Sequence, residues 1–135
     1  MFQVDINYWA VLVIGVMAMA LGYVWYSQSV FGRIWMKLTG KSEAELQGYG
    51  SQTILKAFLS ALLAGYILAH FVNLVGATTL YEGMITGFWA WLGFSATTLF
   101  INDLYEGRPL SLWAINAGYQ LVFLSISGAI LVSWI

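Results

Sequence analysis

Cysteine is missing altogether from the 135 residues, proline and histidine occur once each, and only 8% of the chain is charged. Without thiols there is no disulfide, no thiolate nucleophile, no iron–sulfur ligation and no covalent haem attachment. His70 alone cannot assemble a multi-histidine zinc site. No metal and no cofactor is therefore expected. A formal net charge of −1 provides no basic face for nucleic acid. Soluble domains carry about 25% charged residues, and small ones leave much of their area exposed. With 61% of its residues hydrophobic, this chain needs lipid as its solvent.

What is abundant is apolar length. Four runs lack any charge: 6–32, 57–81, 83–102 and 109–135, of 27, 25, 20 and 27 residues. About 20 residues rising 1.5 Å each cover the roughly 30 Å hydrocarbon core, so each run crosses once and none crosses twice. Period-2 alternation is absent, which leaves helices rather than a barrel. The expected fold is all-α. It is a single membrane domain over residues 1–135, a bundle of four transmembrane helices at about 8–27, 54–75, 80–101 and 110–134. The intervening basic loops cover about 28–53 and 102–109.

Local signals agree. Thr79 and Glu82 have the spacing of a capping box opening the third span. Gly107-Arg108-Pro109 reads as a turn with proline at the first position of the fourth. Asn73 and Gly76 suit the exit from the second.

All five cations sit in two places: Arg33, Lys37, Lys41 and Lys56 flank the first loop, and Arg108 lies in the third. The N-terminus, second loop and C-terminus contain only Asp5 and Glu82 as charged side chains. Positive-inside bias then puts loops 1 and 3 in the cytoplasm and both termini outside. Ala18-Met19-Ala20 resembles a signal-peptide cleavage site, but no basic region precedes it, so a retained span is expected. Tyr8, Trp9, Tyr81 and Trp134 mark one interface, and Trp25, Tyr26, Trp35, Tyr105 and Trp113 the other.

The first loop has helical patterning of its own. Phe31, Ile34, Trp35 and Leu38 share one face, with Arg33 and Lys37 opposite. This predicts a short amphipathic interfacial helix between the first two spans, with Arg33, Trp35, Lys37 and Lys41 as contacts to anionic lipid. Gly40 ends it, and Ser42 with Glu45 caps a second short helix. Small residues form ladders in the second span (Ala57, Ala61, Gly65, Ala69), the third (Gly83, Gly87, Ala90) and the first (Gly15, Ala18, Gly22). Such faces let helix backbones approach closely, within one bundle or between copies.

A family resemblance rests on an ordered set of motifs. These are Trp25-Tyr26-Ser27, Phe31-Gly32, Trp35-Met36, Trp91-Leu92-Gly93-Phe94, Tyr105-Glu106-Gly107-Arg108-Pro109 and Ile115-Asn116-Ala117-Gly118-Tyr119. Together they resemble the domain-of-unknown-function 1761 family of small, mainly bacterial membrane proteins. Gln28 and Gln120 depart from the family pattern, which has proline and often histidine there. The resemblance implies four helices and a bacterial inner (plasma) membrane, and it implies no activity.

Polar residues within a membrane are costly and raise a functional hypothesis. Ser27, Thr98, Asn102, Asp103, Glu106, Arg108, Asn116, Tyr119 and Gln120 all fall near the cytoplasmic leaflet. One reading gathers them into a cytoplasm-facing cleft that binds a headgroup, an ion or a partner. The other uses Asn116 and Gln120 to tie helices and leaves Asp103 and Glu106 as solvated loop residues. No base, nucleophile or metal set accompanies Asp103 and Glu106, so no catalytic residue is assigned and no enzyme is expected. His70 reads as a hydrogen-bonded packing residue, with axial metal binding or proton relay as the alternative. Trp89 and Trp91 read as packing groups whose N–H groups find carbonyl or hydroxyl partners, or else as the lining of a pocket for a flat or isoprenoid ligand. The expected function is non-enzymatic: binding of a membrane lipid or small ligand, or service as an accessory subunit beside other membrane proteins. The alternative is a small homo-oligomeric transporter or channel. Aromatic-Gly-Arg elements after the first and third spans suggest two hairpin repeats.

Overall fold

The computed structural model describes residues 4–48 and 50–134, and only the backbone of Gln47. Residues 1–3, 49 and 135, included in the expected single domain, lie outside the described residues. The elements are α1 (Tyr8–Trp25), α2 (Gly32–Thr39), α3 (Glu43–Gln47), α4 (Gly50–Leu74), α5 (Leu80–Ala90), a π-helical segment (Trp91–Ala96), α6 (Thr97–Glu106) and α7 (Leu110–Ser133). Among the described residues, four stretches are long and apolar enough to cross a membrane: α1, α4, the continuous Leu80–Glu106 and α7. The chain is a multi-pass, all-helical membrane protein.

The boundaries differ from the sequence expectation at two places. α4 begins at Gly50, so the end of the first loop is already helical. The third span runs on to Glu106, which puts Asn102, Asp103 and Glu106 in helix rather than in a loop. That loop shrinks to a turn. Gly107 takes the left-handed conformation (φ 72°) that glycine tolerates without a Cβ penalty, and its N–H returns to the Asp103 and Leu104 carbonyls. Pro109 sits one position earlier than expected, as the N-cap of α7.

The helix starts are built as local chemistry dictates. Thr79 accepts from the Glu82 N–H while the Glu82 carboxylate reaches back to the Thr79 N–H, completing the capping box. Asn7 caps α1 through its side-chain oxygen, and its amide donates to the Trp134 carbonyl at 3.1 Å. Asn73 donates to the Asp5 carbonyl at 3.5 Å. Both chain ends and the α4 exit therefore meet at one end of the bundle, the terminal end. α2, α3 and the Gly107 turn occupy the other, the basic end.

α7 is the hub and touches α1, α4 and α5. Its seam with α5 is the closest. A Cβ added at Gly87 would collide with the Leu124 carbonyl, one at Gly83 with the Gly128 carbonyl, and one at Gly128 with the Gly83 carbonyl. Lipid gives helices no hydrophobic reason to associate, so backbone-to-backbone packing of this kind supplies the cohesion. Across α1 and α4, Ile14 packs against Gly65, and Phe58 and Leu62 cover Gly15.

Candidate functional site: a cleft at the basic end

The turn leaving α1 shapes the site. The Gly32 N–H donates to the Ser27 carbonyl at 2.8 Å and the Phe31 N–H to the Trp25 carbonyl at 3.1 Å, folding α2 back beneath α1. Gly32 is buried, and a Cβ there would strike the Tyr26 carbonyl. The Ser27 hydroxyl is spent locally on the Val24 carbonyl at 2.7 Å. With the chain turned this way, Trp25 and Tyr26 face α7. The Trp25 indole donates to the Ile115 carbonyl at 2.9 Å, and the Tyr26 hydroxyl donates to Asn116 Oδ1 at 2.8 Å.

Two more bonds converge on the same stretch of α7. The Trp91 indole donates to the Ala117 carbonyl at 2.7 Å, and the Tyr119 hydroxyl donates to the Ala18 carbonyl of α1 at 2.8 Å. Two motifs distant in sequence, at Trp25-Tyr26 and at Trp91, thus close on a third, Ile115–Tyr119. Trp113 anchors the neighbouring turn, donating to the Ala96 carbonyl at 3.0 Å at the end of the π-helical segment. The Gly93 and Phe94 carbonyls of that segment accept from the Thr97 and Thr98 hydroxyls of α6 at 2.9 and 2.6 Å.

Between α1, α2, α3, the start of α4 and the head of α7 lies a cleft of about 970 Å³. Tyr23, Tyr26, Trp35, Met36, Leu46 and Ile54 make its apolar and aromatic walls, and Ser27, Gln28, Glu43, Arg108 and Asn116 its polar part. The volume is at the upper end of small-molecule sites, and the mixture of many apolar and few polar groups is typical of them. Tyr26 and Trp35 stand nearly perpendicular, 74° apart with centroids at 5.9 Å. Arg108 Nε pairs with Glu106 at 2.9 Å, both side chains being half exposed.

The sequence-expected site residues separate into groups. Ser27, Arg108 and Asn116 line the cleft. Thr98 and Gln120 instead line a lateral groove of about 590 Å³ between α4 and the third span, among Leu63, Ile67, Phe71, Phe94 and Leu124. Tyr119 packs on Tyr26 behind the cleft wall, ring centroids 5.8 Å apart. Asn102 and Glu106 are exposed. Asp103 is no solvated loop residue: it is buried, and its Oδ2 has no hydrogen-bond partner.

Of the basic-helix residues, Trp35 turns into the cleft while Arg33 and Lys37 are exposed on the outer side of α2. Lys41 is exposed and follows the left-handed Gly40 that ends α2. His70 Nδ1 lies 3.0 Å from the Tyr66 carbonyl, a packing contact within α4, and Trp89 is exposed. Sequence reasoning had placed Tyr23, Met36, Glu43, Leu46 and Ile54 in no site. Amphipathic α2 was the signal available, since a helix lying against the bundle end has to roof something.

The family model for Protein of unknown function (DUF1761) matches residues 9–132. The chain belongs to this family. In this DUF1761 member the motifs behind the resemblance form the α1–α2 turn, the wall of the cleft and the stretch of α7 that ties them together. No match to a curated protein or to a solved structure was found.

Proposed function

We propose that this protein is a non-enzymatic binder of a membrane amphiphile, a lipid or small lipid-like ligand, held in the cleft at the basic end. The observation that carries the reading is the division of that cleft into an aromatic–apolar wall and a polar corner. Asn116 Oδ1 is already engaged by Tyr26, so its two N–H donors are turned to other use. A tail sits in hydrocarbon whether bound or free, so tail burial adds little. Preference must come from the headgroup at the polar corner. The same surface suits an accessory subunit that presents a lipid to a larger membrane complex.

The test is the amphiphile content of protein purified in mild detergent, read by mass spectrometry. Wild type is expected to retain a stoichiometric amphiphile, and Asn116→Ala to lose it while remaining folded. Equal retention by the variant, or none by wild type, would remove the reading.

The proposed setting is a bacterial inner membrane with both termini outside and the cleft facing the cytoplasm, following the five-to-none division of cations. The absence of native cysteine makes this easy to check. Tyr105→Cys should be shielded from an impermeant thiol reagent in intact cells and Tyr81→Cys labelled. The reverse pattern would invert the topology.

The π-helical segment in the middle of the third span favours a second reading, a small homo-oligomeric transporter or channel, because irregular helices at membrane depth often line pathways. It ranks behind binding because Thr97, Thr98 and Trp113 already take up carbonyls there. Solute flux in reconstituted vesicles, abolished by Asn116→Ala, would reverse that order.

A further inference from the structure

Resting on the binding reading above, we infer that the cleft selects a zwitterionic phospholipid headgroup, one that joins a phosphate to an ammonium. Tyr26 and Trp35 meet edge to face with centroids 5.9 Å apart, and both line the cleft together with Tyr23. An aromatic face open to the cleft attracts an ammonium within about 6 Å of its centroid, indole most strongly. Glu43 lines the cleft and supplies the matching negative charge. A primary ammonium beside the aromatic wall can donate a charge-assisted hydrogen bond to the Glu43 carboxylate.

The other half of the headgroup meets Arg108 and Asn116, both at the cleft. Only the Nε of Arg108 is occupied, by Glu106 at 2.9 Å in a half-exposed pair. Such pairs are weak, and the planar guanidinium keeps further donors for phosphate. The Asn116 amide adds two N–H donors.

The charges of the cleft decide against a purely anionic lipid. Glu43 and Arg108 are its formal charges, one of each sign. Arg33 and Lys37 are exposed and outside the lining. They serve general attraction to an anionic surface, whereas the cleft is balanced. Phosphate-linked ammonium is the chemistry that satisfies both corners at once. The third span's lateral groove offers no such pair, its polar lining being neutral hydroxyls and the Gln120 amide.

The experiment is native mass spectrometry of the protein released from nanodiscs containing equal phosphatidylethanolamine and phosphatidylglycerol, with soluble glycerophosphoethanolamine as a parallel arm. Wild type is expected to carry one phosphatidylethanolamine at about tenfold excess over phosphatidylglycerol. Glu43→Gln and Trp35→Leu should each bring the ratio of the two lipids to about one, whatever the total retention. Arg108→Gln should lower retention of both lipids by a similar factor. Preference for phosphatidylglycerol, or an unchanged ratio in both Glu43→Gln and Trp35→Leu, would overturn the headgroup assignment and leave amphiphile binding standing. Retention of neither lipid would overturn both. Occupancy by the soluble headgroup at concentrations comparable to the lipid would overturn a membrane lipid as the occupant.

Discussion

The α5–α7 seam and the α1–α2–α7 cleft use the same central helix in opposite ways. At the seam α7 presents Gly128 and the Leu124 carbonyl to Gly83 and Gly87, with no room for even one added carbon. At the cleft it presents Asn116 and carbonyls to large aromatic side chains, whose hydrogen bonds fix the end of α1 beside a space of about 970 Å³. The seam is cohesion without chemistry; the cleft is chemistry held open by three elements. A rigid helix fixed along one side is what allows the other side to hold a geometry.

The largest effect should follow from filling the seam. Gly87→Val drives two methyls into a neighbouring backbone that cannot move aside, and should cost about 3 kcal/mol or more, the upper range of overpacking. Gly93→Val, where nothing lies within 4 Å of the added Cβ, should cost well under 1 kcal/mol beyond its helix propensity. Thermal unfolding in detergent compares the two, and equal losses would mean that the seam is not tight.

Cleft substitutions should separate binding from folding. Asn116→Ala removes the partner of the Tyr26 hydroxyl and should cost about 1 kcal/mol in stability. Its loss of bound amphiphile should be about tenfold, a larger effect on function than on fold. A stability loss as large as that of Gly87→Val would make the cleft another piece of scaffold.

Two smaller changes sharpen the contrast. Asp103→Asn replaces a buried carboxylate that has an unpartnered oxygen, and should raise stability by about 1 kcal/mol, read as a higher unfolding temperature. Thr79→Ala removes one half of the capping box at the terminal end and should lower stability by about 1 kcal/mol without touching amphiphile content.

Much of this fold was legible because its signals are local. The four uncharged runs, the Thr79–Glu82 box, the Gly40 stop and the Gly107 turn each follow from a few neighbouring residues. The π-helical segment was not legible, since Trp91–Ala96 has nothing in composition that separates it from α-helix. Its support comes from Trp113, 17 residues away from the Ala96 carbonyl it holds. Gly83 and Gly87 stand out in sequence, whereas their partner Gly128 does not, because Leu124 and Val132 stand four residues to either side of it.

The site was half legible for a related reason. Position can be counted along each span, but which neighbour a side chain meets cannot. Asn116 and Gln120 share a face of α7, yet about 6 Å of rise separates them, and one lines the cleft while the other lines the lateral groove. Trp35 and Glu43 reach the cleft through the α1–α2 turn, whose placement against α7 is fixed by bonds spanning 90 positions of sequence.

Photo-crosslinking tests the central claim most directly, using a phospholipid with a photoactivatable group beside its headgroup in membranes containing wild-type protein. The account predicts adducts on residues 22–36 and 108–116, around the cleft, and their loss in Asn116→Ala. Adducts concentrated on residues 94–99 and 120–124, along the lateral groove, would contradict it.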